Sequence, residues 1–261
     1  MKHLFLSPHF DDAVLSCGGT IQQLVAQGES VEVRTIMAGL PHKLPDSPFV
    51  HELHARWQAG ESPVRTRIRE DELAVGHLGA ACTRLSFWLD CIYRVTRSGT
   101  ILYPDGKAIF AEIHPEDVAA QLLPTVVLSA LEIPEVIYAP LGAGHHIDHQ
   151  IVRNWAINLK HDTPWVALKF YEEYPYTEDP QAVNRAMSFF NENDLSLGLR
   201  PETVTLDEAA VQAKIEAIGF YTSQISSFWP DLQLMDSVVR QSLLRTGEGT
   251  YAERYWELGY S

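Results

Sequence analysis

Pro8-His9-Phe10-Asp11-Asp12 places one imidazole and two carboxylates side by side, directly after the apolar run Leu4-Phe5-Leu6 and before the pair Gly18-Gly19. A histidine with carboxylates at this spacing can bind a cation while one carboxylate stays free to move protons. The end of a strand that opens into a helix is also where open α/β sheets place their chemistry. The competing use is that Asp11 or Asp12 merely caps the helix that follows. A cap needs one aspartate, and here two stand beside a histidine.

Gly144-His145-His146-Ile147-Asp148-His149 repeats the arrangement after a second apolar stretch, Val136-Ile137-Tyr138-Ala139, and before another helical pattern. Zinc in a hydrolytic site commonly takes three histidine or carboxylate ligands and keeps a position for water. His9, Asp12 and His149 can supply such a set, and Asp11, between two of them, can point across toward a substrate.

The elements that must position these groups are read from periodicity. Leu4–Leu6 is a short strand. Val14, Cys17, Ile21, Leu24 and Val25 then share one helical face that ends at Gly28, and Val31, Val33, Thr35 and Met37 alternate as a second strand. Residues 3–38 thus form a right-handed βαβ crossover and imply a parallel sheet. Cys17 is expected to pack in the core.

Residues 39–61 have no clean period and read as a long excursion bordering the mouth of the site. Its histidines, His42, His51 and His54, are expected at the surface. Ser62-Pro63 starts a helix running to Gly79. A strand is expected over 85–92, a hairpin over 102–110 at the sheet edge, a helix over 118–131 and a strand over 136–139. A helix then carries Ile151, Val152, Trp155 and Leu159, followed by a strand over 165–171 and helices over 183–190 and 206–220. Tyr171, Tyr174 and Tyr176 are expected in ordinary aromatic packing. Residues 224–234 and the tail are ambiguous.

Composition narrows the partners. With 34 acidic and 20 basic residues the formal net charge is −14, which disfavours nucleic acid phosphates and anionic membranes. No run approaches the roughly 18 apolar residues of a membrane span, and no signal peptide pattern opens the chain. Three scattered cysteines, Cys17, Cys82 and Cys91, make neither a disulfide framework nor a thiolate zinc knot. The expectation is a cytoplasmic protein with a small-molecule substrate, no nucleic acid partner and no membrane insertion; a homo-oligomer is left open.

The two motifs resemble those of the zinc-dependent de-N-acetylases of the LmbE-like (PIG-L) superfamily, which includes the N-acetylglucosaminyl-phosphatidylinositol deacetylases and the thiol-cofactor glycoside deacetylases. There the first motif runs roughly Pro/Ala-His-Pro-Asp-Asp-Glu and the second His-Pro-Asp-His. Phe10, Ala13 and Ile147 replace both prolines and the trailing glutamate here, while every ligand or proton-carrying type is kept. Arg67-Ile68-Arg69-Glu70 with Leu78-Gly79, the stretch from Tyr138 to Arg153, and Tyr251-Ala252-Glu253-Arg254-Tyr255-Trp256 are similar to relatives too.

The resemblance implies a Rossmann-like three-layer α/β/α fold with a mostly parallel sheet, in one domain over 1–261. It implies one Zn²⁺ per chain, or another divalent ion, on His9, Asp12 and His149. Asp11 maps onto the general base. His146 maps onto the group that stabilises the oxyanion and protonates the leaving amine, with Asp148 orienting it. Arg67 maps near the substrate, with Glu70 as its pair at i, i+3 spacing; His145 matches no required position. The implied activity is removal of an N-acetyl group from an amino sugar or glycoside-like molecule. The alternatives are an N-acyl amidohydrolase on a non-sugar amide and a metal-containing binding protein without turnover. A carboxylate kept free of the metal, as Asp11 would be, serves hydrolysis and does little for simple binding.

Overall fold

Apolar side chains on both faces bury β1 (Lys2–Ser7) from His3 onward, and its carboxyl end feeds directly into α1 (Asp12–Ala26). The computed structural model describes residues 1–259 apart from 130–132, 194, 196 and 197. α1 buries Val14, Cys17 and Ile21, and β2 (Ser30–Thr35) returns parallel to β1 with Phe5 opposite Val33. The expected βαβ unit is present, with Cys17 in the core.

The excursion contains a helix, α2 (Pro48–Trp57). Ser47 caps it by accepting the Val50 N–H, and Pro48 opens its first turn. That is the same Ser-Pro start that marks α3 (Pro63–His77).

The strand expected over 85–92 lies earlier, as β3 (Ala81–Arg84). Leu85 extends the ladder by one bond to the Thr35 carbonyl. The chain then leaves the sheet, and Asp90 caps a short 3₁₀ turn over Cys91–Tyr93. No hairpin forms over 102–110. Val95 bridges Ile101 instead, and the Asp105 carboxylate accepts the N–H groups of Lys107 and Ala108, starting a 3₁₀ turn at Ala108–Phe110. The helix expected over 118–131 is only α4 (Val118–Leu122), because Pro124 cannot continue it. The far end of that expectation, at Leu131, lies outside the described residues.

β4 (Val136–Pro140), α5 (Ile147–Asp162) and β5 (Ala167–Tyr171) follow as a second crossover. α6 (Ala182–Glu192), β6 (Leu199–Thr205), α7 (Glu208–Gly219), α8 (Thr222–Phe228), α9 (Leu232–Thr246) and β7 (Ala252–Leu258) complete the described chain. Residues 224–234 therefore end one helix and begin the next, with Pro230 between them.

The strand order is β3-β2-β1-β4-β5-β7-β6. β1 to β5 are mutually parallel, and β7 runs antiparallel to both β5 and β6. This is a mostly parallel sheet flanked by helices. The two crossovers leave the sheet centre in opposite directions, so right-handedness sends α1 and α5 to opposite faces. α1 packs on α7, which also meets α3 and α9, while α5 covers β4 and β5. Between the diverging helices a crevice opens at the carboxyl ends of β1 and β4. Among the described residues no helix is long and apolar enough to cross a membrane.

Candidate active site

Both motifs open into that crevice. Asp11 takes the N-cap position of α1, yet its side chain makes no capping bond; the Ser7 hydroxyl accepts the Ala13 N–H in its place. His146 caps α5 through Nδ1, which accepts the Asp148 N–H at 3.2 Å, so the neutral ring carries its proton on Nε2.

His9 and His149 converge on Asp12. His9 Nδ1 lies 3.1 Å, and His149 Nε2 3.2 Å, from Asp12 Oδ2. The opposite nitrogen of each ring rests on a second carboxylate: His9 Nε2 is 2.9 Å from Asp148 Oδ2, and His149 Nδ1 is 3.2 Å from Glu173 Oε1. A neutral imidazole that donates to the outer carboxylate turns a bare lone pair toward Asp12. Two acceptors then face each other, and only a proton or a metal cation between them relieves the contact. His149 Nε2 is buried and makes no hydrogen bond. Carboxylate–histidine pairs of this kind fix ligand tautomers in metal sites. The donors gathered here, imidazoles and a carboxylate with a buried nitrogen that makes no hydrogen bond, fit a divalent cation.

His9, His146 and His149 also bring ring nitrogens within 4.8 Å of one another. The electrostatics follow from the packing. Burial works against an ionised Asp12, but His149 and His9 overcome it and hold the carboxyl well below its usual range. Burial opposes a charged His149, whereas Asp12 and Glu173 raise it to about 9. Burial, with His9 and His149 nearby, pushes His146 well down, so that ring stays neutral. Asp11 is raised by burial and by Asp12, against the pull of Arg67; a raised carboxylate is a better proton acceptor.

A cavity of about 650 Å³ opens over these groups, and α2 forms one of its walls through Phe49, Leu53 and Trp57. The stretch 39–61 therefore borders the mouth as expected. His42 and His51 are exposed, but His54 is half-buried and bonds the Tyr93 hydroxyl at 2.7 Å. Arg67 is buried in the wall, stacked between Trp57 and Phe10, with Nη2 3.4 Å from Asp11. Phe10 thus supports this arginine.

Two expected pairings are corrected. Glu70 accepts from Thr222, Ser223 N–H and the Ser223 hydroxyl, holding the start of α8, while Arg67 turns to Asp11 instead. The Asp148 carboxylate orients His9, and only its backbone reaches His146. Tyr176 also departs from expectation by lining the cavity. A Cβ on Gly144 would sit 2.4 Å from the Tyr176 ring, so glycine is what lets that ring approach the second motif.

Asp90, Cys91, Arg94, Asp117 and Glu173 carry no motif signal. Asp90 lines the cavity 3.9 Å from both Arg67 and His9. Its loop is pinned over the sheet where the Gly39 N–H donates to Trp88 O, and a Cβ on Gly39 would meet that oxygen at 2.8 Å.

A mostly parallel sheet with a buried histidine–carboxylate nest at its switch point, and a further carboxylate in the same cavity, has the make-up of a metal-assisted hydrolytic enzyme. Residues 4–160 match the family described as PIG-L, GlcNAc-PI de-N-acetylase, and the chain belongs to that family. It is 25% identical over 186 residues to the 2'-N-acetylparomamine deacetylase of Niallia circulans, a match spanning 66% of each chain. It is 26% identical over 262 residues to the protein of the same name from Streptomyces fradiae, across 99% of this chain and 82% of that one. Among solved structures, a deacetylase of the teicoplanin biosynthesis pathway superposes with a TM-score of 0.80 at 26% identity, covering 100% of this chain and 99% of the other.

Proposed function

We propose that the chain is a zinc-dependent N-deacetylase that cleaves the acetamide of an N-acetylated amino sugar carried on a larger glycoside. One observation carries the reading: two buried histidines, each fixed by its own carboxylate, face Asp12, and Asp11 stands in the same cavity outside that contact, against Arg67. Two imidazoles with one carboxylate suit zinc. The sugar class is supported by the names of the curated relatives. A cavity of about 650 Å³, with Phe49, Trp57, Phe110 and Tyr176 in its walls, has room and ring faces for more than one sugar.

When bound, the ion would lower the pKa of a water and polarise the acetyl oxygen. Asp11 accepts the proton of the attacking water, and Arg67 beside it keeps the carboxylate turned into the cavity. His146, neutral with its proton on Nε2, donates a hydrogen bond to the acyl oxygen as charge develops, and Asp11 passes the proton it took from water to the departing nitrogen. Water and the acetamide become acetate and a free amine.

The test is acetate release from N-acetylated amino sugars, free and glycosidically linked, beside N-acetyl amino acids, using metal-stripped and zinc-reconstituted protein. Release from the glycosides by the reconstituted protein alone is expected. Equal release by stripped protein, or release from the amino acids only, overturns the reading.

A further inference from the structure

Asp148 is fully buried, and its two oxygens have divided duties. Oδ2 receives His9 Nε2 and the Cys91 N–H, both at 2.9 Å, while Oδ1 is ion-paired with Arg94 Nη2. Arg94, itself buried, also gives Nε to the Leu89 carbonyl at 3.0 Å and Nη1 to Asp117 Oδ2. Asp117 is fully buried in turn, with Oδ2 accepting the Tyr103 hydroxyl at 2.8 Å and Oδ1 the Ala119 N–H at 2.9 Å.

We propose that Arg94 and Asp117 are positioning residues that set the ring of His9 through Asp148. The planar guanidinium occupies Oδ1 and braces Asp148 from behind, so that Oδ2 is the oxygen presented to His9 Nε2. That hydrogen bond keeps the proton on Nε2 and turns Nδ1 toward Asp12. Asp117 fixes the guanidinium plane from its other edge. Removing Arg94 leaves a buried carboxylate uncompensated and free to turn, and the ring loses its orientation. A lysine offers a point charge without the planar fork, so it restores the charge and only part of the geometry.

The proposal rests on His9 being a metal ligand, as proposed above. The experiment measures Zn²⁺ affinity of the apoprotein by competition with a chelator, and the visible spectrum of the Co²⁺ form, with thermal melting as a check of folding. Outer partners of ligating histidines typically change metal affinity about 10- to 100-fold. Arg94→Met is expected to weaken Zn²⁺ by that range and to shift the Co²⁺ bands, with Asp117→Asn weaker in the same direction and Arg94→Lys in between. The double variant Arg94→Met/Asp148→Asn should lose no more affinity than Asp148→Asn alone. Wild-type affinity and spectrum in a folded Arg94→Met overturn the relay, and so do fully additive losses in the double variant. If Arg94→Met does not fold, Arg94→Lys and Asp117→Asn decide by the same two readouts. His9→Ala separates the layers: undiminished Zn²⁺ affinity there overturns the ligand assignment itself, whereas loss there beside an unaffected Arg94 variant overturns the relay alone.

Discussion

The two histidines that face Asp12 are braced by different materials. His149 leans on Glu173, which accepts the Gly142 N–H at 2.7 Å and the Ala143 N–H at 3.1 Å. Those donors are backbone atoms in the turn between β4 and α5, and no substitution short of proline removes them. His9 leans on Asp148, which takes one backbone N–H, from Cys91, and is otherwise braced by side chains, Arg94 and behind it Asp117, arriving from the stretch after β3. The Glu173 arm is anchored by two backbone donors, and the Asp148 arm by one backbone donor together with a side-chain relay. Drift at Ala143 leaves its N–H on Glu173, whereas Gly142, at φ +91°, and the side chains around Asp148 are tied to their identities.

The strongest way to break the comparison is to remove the rings themselves. His9→Ala and His149→Ala should each lose bound metal and turnover together, since three ligands cannot spare one; near-stoichiometric zinc by mass spectrometry in either purified variant would show that the arms do not share an ion. Next in size is Asp11→Asn, which keeps size and fold while removing the proton acceptor. Turnover should fall by roughly two to four powers of ten with zinc content unchanged. Asp12→Asn should lose metal instead, so equal metal loss in the two variants would make Asp11 a ligand.

Smaller effects separate the arms. Glu173→Gln and Asp148→Asn should each weaken metal binding by about 10- to 100-fold. The Glu173 variant should leave the Arg94 relay without influence on His149, so Glu173→Gln and Arg94→Met losses should add. Strong non-additivity in that pair would mean that the two braces are one network.

The smallest effect on turnover is expected at Asp71, a buried carboxylate that accepts from Tyr221, Thr35 and Cys82. Burial raises it from 3.8 to about 7, despite those hydrogen bonds. The folded state therefore holds a proton that the unfolded chain has released. The stability tied to that proton is complete below pH 3.8 and is lost as pH rises through about 7. Asp71→Asn should flatten this slope in denaturant melts taken across that window, with activity per folded molecule little changed. An unchanged slope would show that Asp71 is ionised in the fold.

Much of this site was legible because β1 and β4 each deliver their chemistry within a few residues of the strand end. His9, Asp11 and Asp12, then His146 and His149, are contiguous runs, and a parallel crossover puts both at one sheet end. Glu173, Asp90, Arg94 and Asp117 were not legible, because they arrive from other strands' loops and carry no spacing that ties them to a histidine. Asp148 shows the limit within a motif: its side chain serves the histidine of the other strand, and sequence proximity to His146 points the wrong way. In the fold, α2 was missed because its faces lack a clean period, although Ser47-Pro48 offers the same start that marks α3. Leu85 to Ile92 misled because Leu85, Trp88, Leu89 and Ile92, which look like strand, are spent on packing a loop over the sheet, while Phe87 lies exposed.

The seam between β1 and β4 pairs His3 with Val136 and Phe5 with Tyr138. These partners lie far apart along the chain, and closing such a long loop is slow and entropically costly. An ion shared by His9 and His149 would sit across this seam like a rivet, since neither crossover holds a full set of ligands alone. Metal uptake would then be a signal that the two halves of the sheet have joined, and the added stability would be felt first at that junction. Withdrawal of the ion would loosen the molecule along the line where its catalytic groups meet, tying the lifetime of the fold to the readiness of the site.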